Sequence, residues 1–289
     1  MPDPDQIDGD VHVSPRYLAG STFTGDPALK PLLALGWKSR YDKAGNVYLS
    51  SPDGKLRLGY LPEGDDDGLW RISAYADAFA QPHWGVCFND AAPTEFVTAF
   101  TTALAQAYTD GPDAYLTGRE LAHGPASPFD AVVPLINRGW QLQGPRGDIM
   151  ELKSADGMAG LEYAVGRLDP GRELTTLEAR WHLWCGPAGP RWYATASSHT
   201  PVHLVTAITT AVCDPAPVPR WKDAMPRALR EAAQLTPLTP PPPPAPTPLD
   251  VRRTAARRPP ALGTVSVPRW STTSQPAALP ASRAAGPRR

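Results

Sequence analysis

Cysteine is scarce in this chain: Cys87, Cys185 and Cys213 are the only three in 289 residues, and none has C-x-x-C spacing. An odd, sparse set excludes a disulfide scaffold and a zinc knuckle, and it points to a reducing compartment. Long apolar runs are missing too. No stretch approaches the roughly 18 residues that a membrane span needs, and the acidic start Met-Pro-Asp-Pro-Asp has no apolar signal core. A cytoplasmic protein without a membrane partner is expected. The usual catalytic signatures G-x-x-x-x-G-K-[ST], G-x-G-x-x-G, G-x-S-x-G and H-E-x-x-H are all absent. No cofactor is therefore expected, and the reading favours a non-catalytic interaction protein over an enzyme.

What is present divides the chain in two. Fourteen of the 36 prolines follow Leu235, and from Val251 to Arg289 there are eight Arg with no Lys, Asp or Glu. The tail therefore carries +8, and residues 1–250 carry −9. Pro240 to Pro244 run unbroken, which favours an extended polyproline II spacer. Beyond it, Ala, Pro, Ser, Thr and Arg offer too little apolar surface to offset chain entropy. Residues 236–289 are predicted disordered.

Residues 1–235 contain a duplication. Pro31-Leu32, Gly36-Trp37, Asp53-Gly54 and Tyr60 recur at an offset of 103 as Pro134-Leu135, Gly139-Trp140, Asp156-Gly157 and Tyr163. Trp84, Pro93, Val97-Thr98-Ala99 and Thr101-Thr102-Ala103 recur at an offset of 108 as Trp192, Pro201, Val205-Thr206-Ala207 and Thr209-Thr210-Ala211. The second copy thus holds five extra residues between the landmarks, placed in the polar connection Gly166 to Glu173.

Each copy reads as α-β-β-β-β-α. In the first, Asp26-Pro27 opens a short helix that Gly36 ends. Asn46 to Ser51 and Lys55 to Leu61 flank a Pro-Asp-Gly turn as a hairpin, with Gly54 at positive φ. Leu69 to Tyr75 and His83 to Phe88 are β-runs, and a helix covers Thr94 to about Ala107. The second copy gives helices at Phe129 to Arg138 and Val202 to Cys213. Its strands fall near Ile149 to Lys153, Gly160 to Val165, Leu174 to Trp184 and Arg191 to Thr195. Short connections imply antiparallel pairing and an α+β architecture of two tandem pseudo-symmetric units. The expected segments are repeat one at 11–107, a linker at 108–127, repeat two at 128–214, a C-terminal helix within 215–235, and the tail. The copies are either independent or, the preferred reading, one pseudo-twofold body.

The motifs Val13-Ser14-Pro15-Arg16-Tyr17-Leu18-Ala19-Gly20, Gly36-Trp37, Ser51-Pro52-Asp53-Gly54, Gly59-Tyr60-Leu61-Pro62-Glu63-Gly64 and Pro93-Thr94-Glu95 carry a family resemblance. The chain resembles the actinobacterial family known as domain of unknown function 317, over about residues 11–214. The resemblance implies two tandem domains and supplies no catalytic residues.

His199 and His203 stand four apart at a helix start, a spacing that lets two ligands share a face. Their first-copy counterparts are Ala91 and Glu95, so they read as surface histidines and no metal is expected. The cluster Glu63, Asp65, Asp66 and Asp67 lacks EF-hand placement and fits a solvated turn. Cys87 reads as a structural thiol. Trp37, Trp84, Trp140 and Trp192 recur at matching places, either as stacking platforms for bases or, preferred, as core rings. An acidic body repels phosphate unless its charges segregate in space.

The tail arginines Arg252, Arg253, Arg257, Arg258, Arg269, Arg283, Arg288 and Arg289 are the candidate contacts to DNA or RNA. The competing readings are a purely solubilising tail, one folded on its own acidic body, and a protein adaptor using Pro243-Pro244-Ala245-Pro246, whose nearest Arg, Arg252, is distant. A hydrolase or transferase with its site between the two repeats is the enzymatic alternative.

Overall fold

The computed structural model describes residues 9–22, 24–62, 68–118, 127–144, 146–175 and 178–238. The acidic cluster at 63–67, Pro240 to Pro248 and all eight tail arginines lie outside the described residues. The chain opens with β1 (Asp10–Ser14) and a 3-10 turn at Arg16–Leu18. The first copy then runs α1 (Asp26–Leu33), β2 (Lys38–Tyr41), β3 (Val47–Ser50), β4 (Leu56–Tyr60), β5 (Trp70–Tyr75), β6 (Pro82–Phe88) and α2 (Thr94–Asp110), followed by α3 (Pro112–Leu116). The second comprises α4 (Phe129–Ile136), β7 (Gln141–Leu142), β8 (Ile149–Lys153), β9 (Ala159–Ala164), α5 (Pro170–Thr175), β10 (Trp181–Cys185), β11 (Trp192–Ala196) and α6 (Val202–Cys213). β12 (Val218–Trp221), α7 (Arg227–Ala232) and β13 (Gln234–Pro237) finish the body.

The protein is α+β with antiparallel sheets. Its main sheet has ten strands in the order β2-β3-β4-β5-β6-β11-β10-β9-β8-β7, which reads the same by copy from either edge. The two meanders join through β6 and β11, in the register Phe88↔Ala194, Cys87↔Thr195 and Val86↔Ala196. Asn89 extends the join: Tyr193 N donates to its Oδ1 at 3.0 Å, and its Nδ2 donates to the Arg191 carbonyl at 3.2 Å. Helices cover one face. Leu58, Ile72 and Trp84 meet Phe100 and Leu104 of α2 in the buried core, and Phe96 stacks on Trp192 of the other copy at 4.9 Å.

Several sequence expectations need correction. Each copy has five strands, not four, because Lys38–Tyr41 and Gln141–Leu142 form the sheet edges. Every side chain of both is exposed, so neither carries a hydrophobic period to read. Gly25 rather than Asp26 occupies the α1 cap. The extra residues of the second copy build α5, and the strand predicted from Leu174 starts only at Trp181. Within 108–127, α2 continues to Asp110 and α3 follows. Within 215–235 the helix spans only Arg227–Ala232, flanked by β12 and β13. Those strands sandwich β1 in a small sheet whose pairs include Val13↔Val218 and Val13↔Leu235. β13 extends to Pro237, and Leu238 N donates to the Asp10 carbonyl at 3.0 Å, so the ordered body passes residue 235. Gly54 and Gly157 take φ of 72° and 69° at the two Asp-Gly turns, where only glycine is unstrained.

Two tyrosine straps lock the copies. The Trp84 indole N–H donates to the Tyr115 carbonyl and that of Trp192 to the Tyr17 carbonyl, both at 2.8 Å. Tyr115 OH then donates to Asp53 at 3.3 Å, and Tyr17 OH to Asp156 at 2.6 Å. Each strap therefore ties a core indole to the aspartate of its turn. Tyr17 precedes the first copy in sequence yet serves the second, so the N-terminal segment completes the far end of the chain. Burial, joined by the Asp53 charge, pushes the Tyr115 hydroxyl up to about 12, and burial with Asp156 raises Tyr17 further. Both remain proton donors across the physiological range.

A second cross-tie is Arg220 of β12. It is buried, donates from both terminal nitrogens to Glu95 of α2 at 2.7 Å, and also reaches the Gly20 carbonyl. Burial alone would raise the Glu95 carboxyl, but the bonds and charge of Arg220 outweigh it and hold the group below its ordinary value.

Tyr17→Phe is expected to cost about 1–2 kcal/mol by removing the donor to Oδ2 of Asp156, whose Oδ1 keeps Ser154 and Met158, and Tyr115→Phe less because its bond is longer. Thermal unfolding of the two variants checks the order. A depressed carboxyl contributes stability that is complete above its unfolded value and is lost as pH falls through its folded value. The melting temperature of wild type should therefore fall more steeply than that of Glu95→Gln below about pH 4.5, the ordinary value of the group. Equal slopes would remove the pair from the acid response.

Candidate functional site

The face of the main sheet opposite the helices is where the copies differ. One row of cross-strand neighbours crosses the first copy as Arg40, Tyr48, Gly59, Arg71 and Cys87. It continues into the second copy as Thr195, His182, Glu162 and Glu151, and Gln143 N bonds the Glu151 carbonyl beyond. Positions equivalent by the repeat thus pair Arg40 with Gln143, Tyr48 with Glu151, Gly59 with Glu162 and Arg71 with His182. The neighbouring row adds Lys38, Ser50, Arg57 and Ser73 in the first copy, against Gln141, Lys153, Gly160 and Trp184 in the second. This face carries Lys38, Arg40, Arg57 and Arg71 in the first copy, whereas in the second Glu151 and Glu162 stand beside Lys153 and His182.

The cationic half is open. Lys38, Arg40, Arg57 and Arg71 are exposed, and Tyr48 is 42% exposed among them. Arg57 is oriented by a 2.6 Å bond to the Ala78 carbonyl and lies over the Tyr75 ring at 4.4 Å. Arg40, Tyr48, Arg57 and Arg71 border a shallow groove of 680 Å³ that also takes in Asp42 at its rim. Asp42 accepts from Ala44 N, Asn46 N and Asn46 Nδ2, which lower its carboxyl and turn it toward its own loop.

The acidic half is closed on itself. Glu162 meets His182 at 3.1 Å and Glu151 meets Lys153 at 3.0 Å. The Trp184 ring lies directly on Gly160, where a Cβ would come within 2.6 Å of it, and Arg191 covers the other side of the indole at 4.3 Å. The equivalent positions in the first copy carry Arg57 and Ser73 instead, which leaves that surface uncapped.

At the junction of the copies the groove deepens into a cavity of 310 Å³ lined by β5, β6 and β11, with α5 as its outer wall. Arg71 and Ser73 line both spaces. Two contacts fix α5: Glu173 accepts from Ser198 N at 3.0 Å and Ser198 Oγ at 2.6 Å, and Leu174 lies so close to Gly85 that a Cβ there would be 2.9 Å from it.

The sequence-named candidates fall elsewhere. Trp84 and Trp192 are wholly buried, and Trp37 and Trp140 nearly so, packing edge-on against Tyr108 and Tyr17. Rings so placed offer no face to a base. His199 stacks on His83 at 4.9 Å, whereas His203 borders a groove between α2 and α6. Burial, together with the neighbouring His199, lowers His83. Among the described residues no group of three or more His, Cys, Asp or Glu is arranged to hold a metal ion, and no helix is long and apolar enough to cross a membrane. In the α2/α6 groove the repeated threonines turn inward on their own helices, Thr98 to the Thr94 carbonyl and Thr206 to that of Val202. Sequence reasoning passed over the cationic face because it summed charge over the whole body. The signal was available in the repeat alignment, where Lys38, Arg40 and Arg57 stand against Gln141, Gln143 and Gly160.

Residues 50–109 and 153–218 match the family model described as SPDY, domain of unknown function (DUF317), so the chain belongs to that family and carries its domain twice. The matched segments begin at the last residues of β3 and β8; the first ends within the last turn of α2, and the second runs past α6. No curated protein and no solved structure matches the chain.

Gly160→Ala should displace Trp184 and destabilise the protein by about 1–3 kcal/mol through overpacking. Denaturant unfolding followed by tryptophan fluorescence would register it. A neutral result would mean that the indole does not rest on the strand.

Proposed function

We propose that the protein is a non-catalytic nucleic-acid-binding protein in which the open sheet face of the first copy holds the phosphate backbone and the basic tail adds non-specific affinity. One observation carries this reading: at repeat-equivalent positions of a single surface, cations are gathered in the first copy and carboxylates in the second. A body of charge −9 over residues 1–250 would otherwise repel a polyanion. Segregation gives it a local field of the opposite sign. Guanidinium groups suit this role because their planar forks bind phosphate and stack on bases, and an open sheet presents them in a row. The alternative of a hydrolase or transferase at the junction of the copies has less support. The Cys87 thiol there has Arg71 and Thr195 as cross-strand neighbours, neither of which is a general base. The adaptor reading rests on the proline-rich segment alone.

Oligonucleotide binding measured against salt tests the assignment. Truncation after Leu238 should lower the affinity and the salt slope yet leave binding measurable. In that truncated protein, Lys38→Ala/Arg40→Ala/Arg57→Ala should reduce the slope by roughly 2, near 0.7–0.9 per lost phosphate contact, with little sequence preference. Binding by the triple variant equal to that of its parent would move the site off this face.

A further inference from the structure

The cavity at the junction of the copies is the most constructed feature on this surface. The second copy is longer than the first by five residues, and in the structure that connection forms α5 and walls the cavity. α5 is not itself part of the ten-stranded sheet. Its attachment is nonetheless specific: the buried Glu173 carboxylate is spent on Ser198, and Gly85 is left bare so that Leu174 can approach.

We propose that this cavity seats one base of a single-stranded nucleic acid whose backbone lies along the cationic face, a proposal that rests on the nucleic-acid reading above. Continuity is the first argument. Arg71 and Ser73 border both the groove and the cavity, so a strand following Arg40 and Arg57 reaches the cavity mouth without leaving the surface. The lining gives the second. Hydroxyls of Ser73, Tyr193 and Thr195 and the bare backbone at Gly85 offer donors and acceptors, while Leu174 supplies an apolar side. A flat ring with polar edges matches such a mixture. A phosphate does not: among the described residues Arg71 is the one cation lining the cavity, Glu173 lines it with a carboxylate, and stripping a dianion of water there is costly. The volume, at the low end of the range for small-molecule sites, accepts one such ring. A duplex is a poor fit because its bases must first be unpaired and unstacked to enter.

Cys87 reports on the cavity. It lines the space and is half-buried, whereas burial pushes the Cys213 thiol up to about 12 and Cys185, wholly buried, is raised well above its ordinary value. Alkylation by iodoacetamide near neutral pH, located by peptide mass, should therefore fall on Cys87. The experiment uses the full chain and a mixed-sequence DNA strand of about twelve nucleotides, free or annealed to its complement. Single strand is expected to bind at least about tenfold tighter than duplex at low salt, and saturation with it should slow Cys87 alkylation severalfold. Thr195→Phe and, independently, Ser73→Leu fill the cavity. Each should abolish the single-strand preference while retaining salt-dependent binding through Lys38, Arg40 and Arg57. Three results overturn the proposal. Single strand bound with Cys87 alkylated at the unprotected rate, or duplex bound equally well, puts the bases outside the cavity and leaves the cationic face standing. Failure of the full chain to bind either form at low salt removes the nucleic-acid reading itself.

Discussion

The pairing of β6 with β11 is the contact on which the remaining architecture depends. Hydrogen bonds between central strands, extended by Asn89, turn two five-stranded meanders into one sheet. The join creates both surfaces of the molecule at once. On the helix side it brings α2 against α6 and lets Phe96 of one copy stack on Trp192 of the other. On the open side it makes a single row of residues continuous from Arg40 to Glu151 and leaves a seam deep enough to hold a cavity. Independent copies would have neither the seam nor a shared field, because a five-stranded sheet exposes its last strand as an unpaired edge.

The straps tie each copy to the segments that flank it. Trp84 and Trp192 each bury an indole N–H that must find an acceptor, and each finds the carbonyl of a tyrosine lying outside the repeat proper. For the first copy the tyrosine follows its closing helix. For the second it lies at the start of the chain, and β1 is held there by strands that come after the repeat. The small sheet therefore closes the chain on itself, and Arg220 fastens that closure to α2 of the first copy. Unfolding the second copy would leave the Tyr17 hydroxyl and carbonyl without Asp156 and Trp192, so the copies should unfold together.

The sequence made the duplication legible because glycine, proline and tryptophan mark positions with strict steric demands. Gly36 and Gly139 sit at φ of 77° and 80°, and Gly54 and Gly157 at the turns, so the same residues had to recur. Hydrophobic alternation located β3 to β6 for the same reason, since one face of each is buried, whereas β10 starts later than its pattern suggests. The edge strands carried no such constraint and were invisible. The segment 215–235 misled because the helical residues Arg227–Ala232 dominate its pattern, while the short strands on either side are defined by a partner more than two hundred residues away. Nor could composition reveal the site, because a sum over the chain erases a difference between its halves.

The division of charge is best understood as the consequence of duplicating a face and then using only one copy of it. A second copy of the cationic row would have placed cations at Gln141, Gln143, Gly160 and His182, the positions equivalent to Lys38, Arg40, Arg57 and Arg71. The second copy instead carries Glu151 and Glu162, which pair internally with Lys153 and His182. Trp184, lodged on Gly160 beneath Arg191, seals what remains of that half. On the proposed reading a polyanion is held at the cationic end of the row, and that end stops at the seam where Arg71 and Ser73 border both the groove and the cavity.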